Sequence, residues 1–176
     1  MTTAEANKLR NDPQMSDDMK VILNAPFNQC SKLTKAVYLS GIAMLTKENL
    51  EKLDISLIIN ATYEWPKICP MIRGREVVNI RVPVDDSGVD DISIYFDEVS
   101  DKIEENYGKG GQTLVHCMAG ASRSTSIVLA YLVKFENISL VNAYISVRNR
   151  REVGRPNIGF WDQLNSCYAK NLSNNS

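Results

Sequence analysis

The sequence predicts a single α/β domain: a central, mostly parallel sheet of about five strands flanked by helices. Three observations carry this. The near-continuous apolar run at 56–62 (SLIINAT) has the texture of a strand buried on both faces. Strand-like runs alternate along the chain with stretches of 3.6-residue periodicity. The chain has 176 residues, 44% hydrophobic and 23% charged, enough for one ordinary core and far from disordered composition.

The first 26 residues are polar, lack a sustained period and carry Pro13 and Pro26; they read as a flexible arm before a domain over 27–171 and a tail over 172–176. Residues 36–41 (AVYLSG) read as a strand ending at a glycine. A short helix is expected over 47–53, with Thr46 placed to cap its first amides. After the strand at 56–62, residues 77–84 (VVNIRVPV) form another, whose pairing should stop near Pro83. Over 93–106, Ile92, Tyr95, Phe96, Val99 and Ile103 fall on one face of a helix. The strand 112–117 (QTLVHC) follows a Gly-Lys-Gly-Gly connector. Residues 124–136 are apolar around most of a helical circumference and read as a central, buried helix. Ser139 can cap a further helix with Leu140, Ala143, Tyr144 and Val147 inward. A last helix from Ile158 presents Phe160, Leu164, Cys167 and Tyr168 on one side.

Lys plus Arg is 20 and Asp plus Glu is 21, a formal net charge of −1, which argues against a nucleic-acid binder. No apolar run is long enough to span a bilayer, and the N-terminus has acids and amides where a signal peptide needs an apolar core. A cytoplasmic location is expected, with the nucleus left open because no basic localisation run is present. Four cysteines without a CxxC pair, and one histidine, disfavour a zinc site or a disulfide framework. Cys30, Cys69 and Cys167 read as packing residues.

The chemistry concentrates in HCMAGASRS, residues 116–124. A strand delivers Cys117 to its C-terminal end, a short loop follows, and a helix begins near Arg123. Loop amides before a helix N-terminus converge on one point and favour an anion such as a phosphate dianion. Met118, Ala119, Gly120, Ala121 and Ser122 supply the curl of backbone, and Gly120 admits positive φ. Arg123 can grip two phosphate oxygens. The same positive elements favour the thiolate of Cys117, a nucleophile aimed at phosphorus. An alkoxide or phenoxide leaves poorly unless protonated, so an acid is needed on a neighbouring loop. The pair Asp85-Asp86, after the 77–84 strand, is placed for this; spacing alone does not separate the two.

HCMAGASRS matches the HCxxGxxRS signature and resembles the cysteine-dependent protein tyrosine phosphatases, in particular the small atypical dual-specificity phosphatases. VPVDDS, AYLVKF, RNRREVGRPN and GFWDQL extend the likeness over roughly residues 33–170. The resemblance implies Cys117 as nucleophile, Arg123 as phosphate clamp and Asp86 as general acid, the count back from Tyr95-Phe96 favouring Asp86 over Asp85. It further implies that Ser124 assists departure of the sulfur and that His116 tunes the thiolate through the strand end. It implies no metal and no cofactor, and phosphorylated proteins as partners. The uncharged loop positions disfavour inositol lipids. A phosphatase of a non-protein phosphoester (a phosphoinositide or an RNA 5′-phosphate) and a non-catalytic phosphoprotein-binding module are the alternatives. Arg148, Arg150, Arg151 and Arg155 read either as a solvated helix end or as a rim holding the acidic flank of a phosphopeptide.

Overall fold

The computed structural model describes residues 29–66 and 69–168. The arm over 1–26 and the tail over 172–176 lie outside the described residues. Seven strands are described: β1 (Ser31–Lys32), β2 (Val37–Ser40), β3 (Ile55–Asn60), β4 (Met71–Ile72), β5 (Arg75–Glu76), β6 (Val78–Arg81) and β7 (Gln112–His116). The helices are α1 (Lys47–Lys52), α2 (Phe96–Gly108), α3 (Arg123–Phe135), α4 (Leu140–Arg150) and α5 (Ile158–Tyr168).

Five strands form one sheet in the order β1-β2-β7-β3-β6, antiparallel only where β1 meets β2. This is the expected class. Strands 2, 7, 3 and 6 therefore point the same way, and the loops leaving their C-terminal ends gather on one edge, where an open α/β sheet places its ligands.

Alternating side chains build a core on each face. Val37, Leu39, Leu57, Ile59 and Val115 pack with Phe96, Val99 and Ile103 of α2, most of α3, and Phe160 and Leu164 of α5. Ile55, Ile58 and Leu114 turn the other way, against Ile42, Leu45, Leu50, Ile72 and Val77. Ile55 and Ile58 share a face despite their odd spacing because a register irregularity falls between Ile55 and Leu57. The helix caps are as the sequence suggests: Thr46 Oγ1 accepts from Asn49 N–H and Ser139 Oγ from Asn142 N–H, each at 3.2 Å.

Four expectations need correction. The strand at 77–84 is shorter, Val78–Arg81. Val82 still donates to Asn60 O, but Val84 N–H folds back onto Val82 O across Pro83 and the ladder ends. The helix of 93–106 opens with a 3-10 turn, Ser93–Tyr95, before the α-helical geometry of α2. The strand β1 and the β4–β5 hairpin carry no strand-like pattern. The hairpin turns on Arg73 and Gly74, both at positive φ (50° and 78°). Cys69 and Cys167 are exposed rather than packed. Cys167 lies in the last turn of α5, where its neighbour Tyr168 takes the core-facing position.

Candidate active site

Cys117 stands one residue past β7 and is 1% exposed. Beyond it, four successive carbonyls turn away from a common centre. Met118 O accepts from Ile42 N–H (3.0 Å) and Ala121 O from Arg155 N–H (2.7 Å). Ala119 O accepts from Arg151 Nη2 (3.0 Å) and Gly120 O from Arg151 Nε (2.6 Å). The N–H and C=O of a trans peptide point in opposite directions, so the amides of residues 119–122 face inward. One is seen doing so: Gly120 N–H points at Cys117 Sγ, 3.2 Å away. Gly120 has φ +66°, and a Cβ there would run into the Ser40 backbone. The loop thus tolerates no larger residue at this point.

The first turn of α3 completes the cradle. Ser124 Oγ donates to Cys117 Sγ at 3.1 Å, and Ser122 Oγ accepts from Asn157 N–H at 2.9 Å. The Arg123 side chain is 5% exposed and lies flat against Glu64 in a two-pronged ion pair, both N–O distances 2.8 Å. Nη1 also donates to Val84 O. The buried Nε has no hydrogen-bond partner among the described residues, although Asp86 Oδ2 lies 3.9 Å away. A donor left unpaired in such a place is poised for an oxyanion.

Charge follows from these contacts. Burial works against the charge of Arg123, but the Glu64 bonds and the field of Cys117, Glu64 and Asp86 outweigh it and push its pKa up. Burial alone would raise Glu64; the Arg123 bonds win and hold its carboxyl below the ordinary range. Burial takes His116 down to about 4, with Arg123 adding to the effect and the Cys117 backbone opposing it. His116 is fully buried, both ring nitrogens unpartnered among the described residues, so it is neutral near pH 7. It lies on the sheet face opposite Cys117, as strand alternation requires.

The two members of the acidic pair make different contacts. Asn157 Nδ2 donates to Asp86 Oδ1 at 2.8 Å, and Asp86 Oδ2 faces the Arg123 guanidinium. Asp85 bonds through its backbone, its N–H donating to Asp90 Oδ2 at 2.8 Å. The arginine cluster divides as well. Arg151, 3% exposed, is folded under the loop and also donates to Gln29 O (2.7 Å). Arg150 bonds Ser146, Arg148 bonds the Glu152 carbonyl, and Arg155 is exposed beside Ala121.

Glu64, Asn157 and the bracing role of Arg151 are absent from the sequence reading. Glu64 had an available signal. It is the sole carboxylate of residues 61–66, the loop leaving β3, and β3 is the parallel neighbour of β7. Asn157 and Arg151 had none, since their partners lie 71 and about 31 positions away.

A family model described as "Dual specificity phosphatase, catalytic domain" matches residues 37–170. Human dual specificity protein phosphatase 14 is 38% identical over 146 residues, covering 82% of this chain and 72% of the relative. Human dual specificity protein phosphatase 21 is 38% identical over 147 residues, covering 83% and 75%. Among solved structures, human DUSP28 superposes with a TM-score of 0.74 at 28% identity, covering 82% of this chain and 95% of that one.

Proposed function

This chain belongs to the dual-specificity phosphatase family, cysteine-based protein phosphatases, and we propose that it hydrolyses phosphotyrosine and phosphoserine/phosphothreonine through a cysteinyl-phosphate at Cys117. The observation that carries the reading is the convergence on one sulfur of an inward amide (Gly120) and a hydroxyl (Ser124), within the field of a clamped guanidinium (Arg123) whose Nε has no hydrogen-bond partner among the described residues.

In the first step Cys117 Sγ attacks phosphorus, an S–P bond forms and the P–O bond to the leaving group breaks. The three non-bridging oxygens sit on the amides of residues 119–122 and on Arg123 Nε, where charge developing in the transition state is met by donors already in place. The leaving oxygen takes the proton of Asp86, which Asn157 holds by Oδ1 with Oδ2 turned inward. In the second step water attacks phosphorus and returns its proton to Asp86, while the electron pair of the S–P bond goes back to sulfur. The Ser124 hydroxyl, 3.1 Å from Sγ, stabilises the departing thiolate. Glu64 engages both terminal nitrogens of Arg123 and so presents its Nε edge to the ligand. His116, fully buried at the strand end, supplies no proton near pH 7.

The test is phosphate release from matched phosphotyrosine and phosphothreonine peptides beside a phosphoinositide set. The parent is expected to turn over both peptides. Cys117→Ser loses turnover and keeps orthophosphate affinity. Asp86→Ala slows aliphatic esters by about 10²–10⁴ and activated aryl esters much less, while Asp85→Ala leaves that selectivity alone. Turnover of lipids alone, or an active Cys117→Ser, contradicts the reading.

A further inference from the structure

Three large apolar side chains stand in solvent around the mouth of the site. Tyr63 is 63% exposed, Val89 92% and Ile158 76%. Each is tied by the chain to the reacting groups. Tyr63 precedes Glu64, which grips Arg123; Ile158 follows Asn157, which holds Asp86; Val89 lies in the loop that carries Asp86. The last two share one lip, because the backbones of Gly88 and Gly159 touch so closely that a Cβ on Gly159 would strike the Gly88 carbonyl. On the other side Arg81 fixes the Tyr63 loop. It donates to Thr62 O (3.3 Å) and to Tyr63 O, and its guanidinium lies 6.0 Å from the Tyr63 ring.

The charge around this mouth is negative. The loop of Asp86 also carries Asp85, Asp90 and Asp91. Among the described residues the only cation paired with any of these four is Arg123, with Asp86. Asp90 accepts from Asp85 N–H and Ser87 Oγ, and Asp91 from Ser93 Oγ, all neutral donors. Of the arginines of the 148–155 cluster, Arg151 is buried beneath the loop and Arg148 and Arg150 bond their own helix end, leaving Arg155, with Arg81 on the Tyr63 side, against four aspartates of which Asp86 already faces Arg123.

From this rim we infer the substrate class, resting on the phosphatase reading above: a phosphopeptide with large apolar residues flanking the phosphorylated side chain, in preference to one with acidic flanks. Apolar flanks remove Tyr63, Val89 and Ile158 from water. Acidic flanks meet the aspartate loop and are repelled, an effect that salt screens.

The experiment compares kcat/KM on three otherwise identical phosphotyrosine peptides with leucine, glutamate or serine on both sides. An unflanked aryl phosphate runs alongside as a report on the chemistry alone. The parent is expected to favour the leucine peptide over the glutamate peptide by about tenfold at low salt, and the glutamate penalty shrinks at about 0.5 M salt. In Val89→Ser/Ile158→Ser the leucine advantage over serine falls toward unity; both side chains are exposed, so folding is not at stake. Equal rates on the three peptides, a preference for glutamate, or a leucine advantage that survives the double substitution overturns the inference. Turnover of the aryl phosphate with none of the peptides overturns the protein-substrate reading and the inference together. An inert parent on every substrate is a failure of the chemistry and is told apart in that way.

Discussion

His116 ends β7 and Cys117 follows it, yet the two side chains meet different surroundings, and their chemistry diverges accordingly. Cys117 sits where amides, a hydroxyl and a guanidinium converge. Neither ring nitrogen of His116 has a hydrogen-bond partner among the described residues, and burial takes its pKa down to about 4 against an ordinary value of 6.5. The folded state therefore binds fewer protons than the unfolded chain between those two values, and stability must fall as pH drops through that window. From pH 7 to pH 5 the loss attributable to this ring is about 2 kcal/mol. Urea unfolding at the two pH values should show it, and His116→Asn, which cannot titrate, should flatten the difference. An unchanged slope in the variant would mean the ring finds a proton acceptor in the folded state. The same sign holds for Glu64 at lower pH. Its depressed carboxyl contributes stability that is present above the ordinary carboxylate range and is lost on acidification.

At the scale of elements, the loop after Cys117 keeps its shape through neighbours far off in sequence. Arg151, at the end of α4, takes two of the loop's carbonyls and the Gln29 carbonyl just before β1, tying three segments to one planar group. Arg151→Met removes these donors and leaves two buried carbonyls unpaired, so the loop amides lose their inward aim. A misplacement of about 1 Å costs about 10²-fold in rate. We expect kcat/KM to fall by about ten- to a hundredfold and the inhibition constant of orthophosphate to rise in step, with Arg151→Lys recovering part of both. A fall in melting temperature with orthophosphate inhibition unchanged would reduce Arg151 to a packing residue. This brace is the point at which the sequence misleads, because a run of arginines at a helix end looks like a solvated face. The loop itself, by contrast, is legible. Cys117, Gly120, Arg123 and Ser124 fall within eight consecutive residues whose local geometry is set by a strand end and a helix start.

For the whole molecule, the parallel order could be anticipated from β–α alternation. It explains how Asp86 reaches Arg123 although β3 separates β6 from β7: the loops after parallel strands share an edge. Small elements were not legible. The two-residue strands β1 (Ser-Lys), β4 (Met-Ile) and β5 (Arg-Glu) are too short to show a period, and they pair because the larger sheet or a tight turn at Arg73-Gly74 holds them. Glu64 carries only a weak signal, that of a lone acid in the loop after a strand, and the fold gives it meaning by setting it across from Arg123. The central claim is that phosphate passes through a covalent bond to Cys117. It is tested most directly by quenching Ser124→Ala, in which departure of the sulfur is slowed, during turnover of a radiolabelled phosphopeptide. The account predicts label retained on the protein, mapped to the peptide containing Cys117 and absent when Cys117→Ser is added. Steady turnover with no labelled protein, or label on another residue, would contradict it.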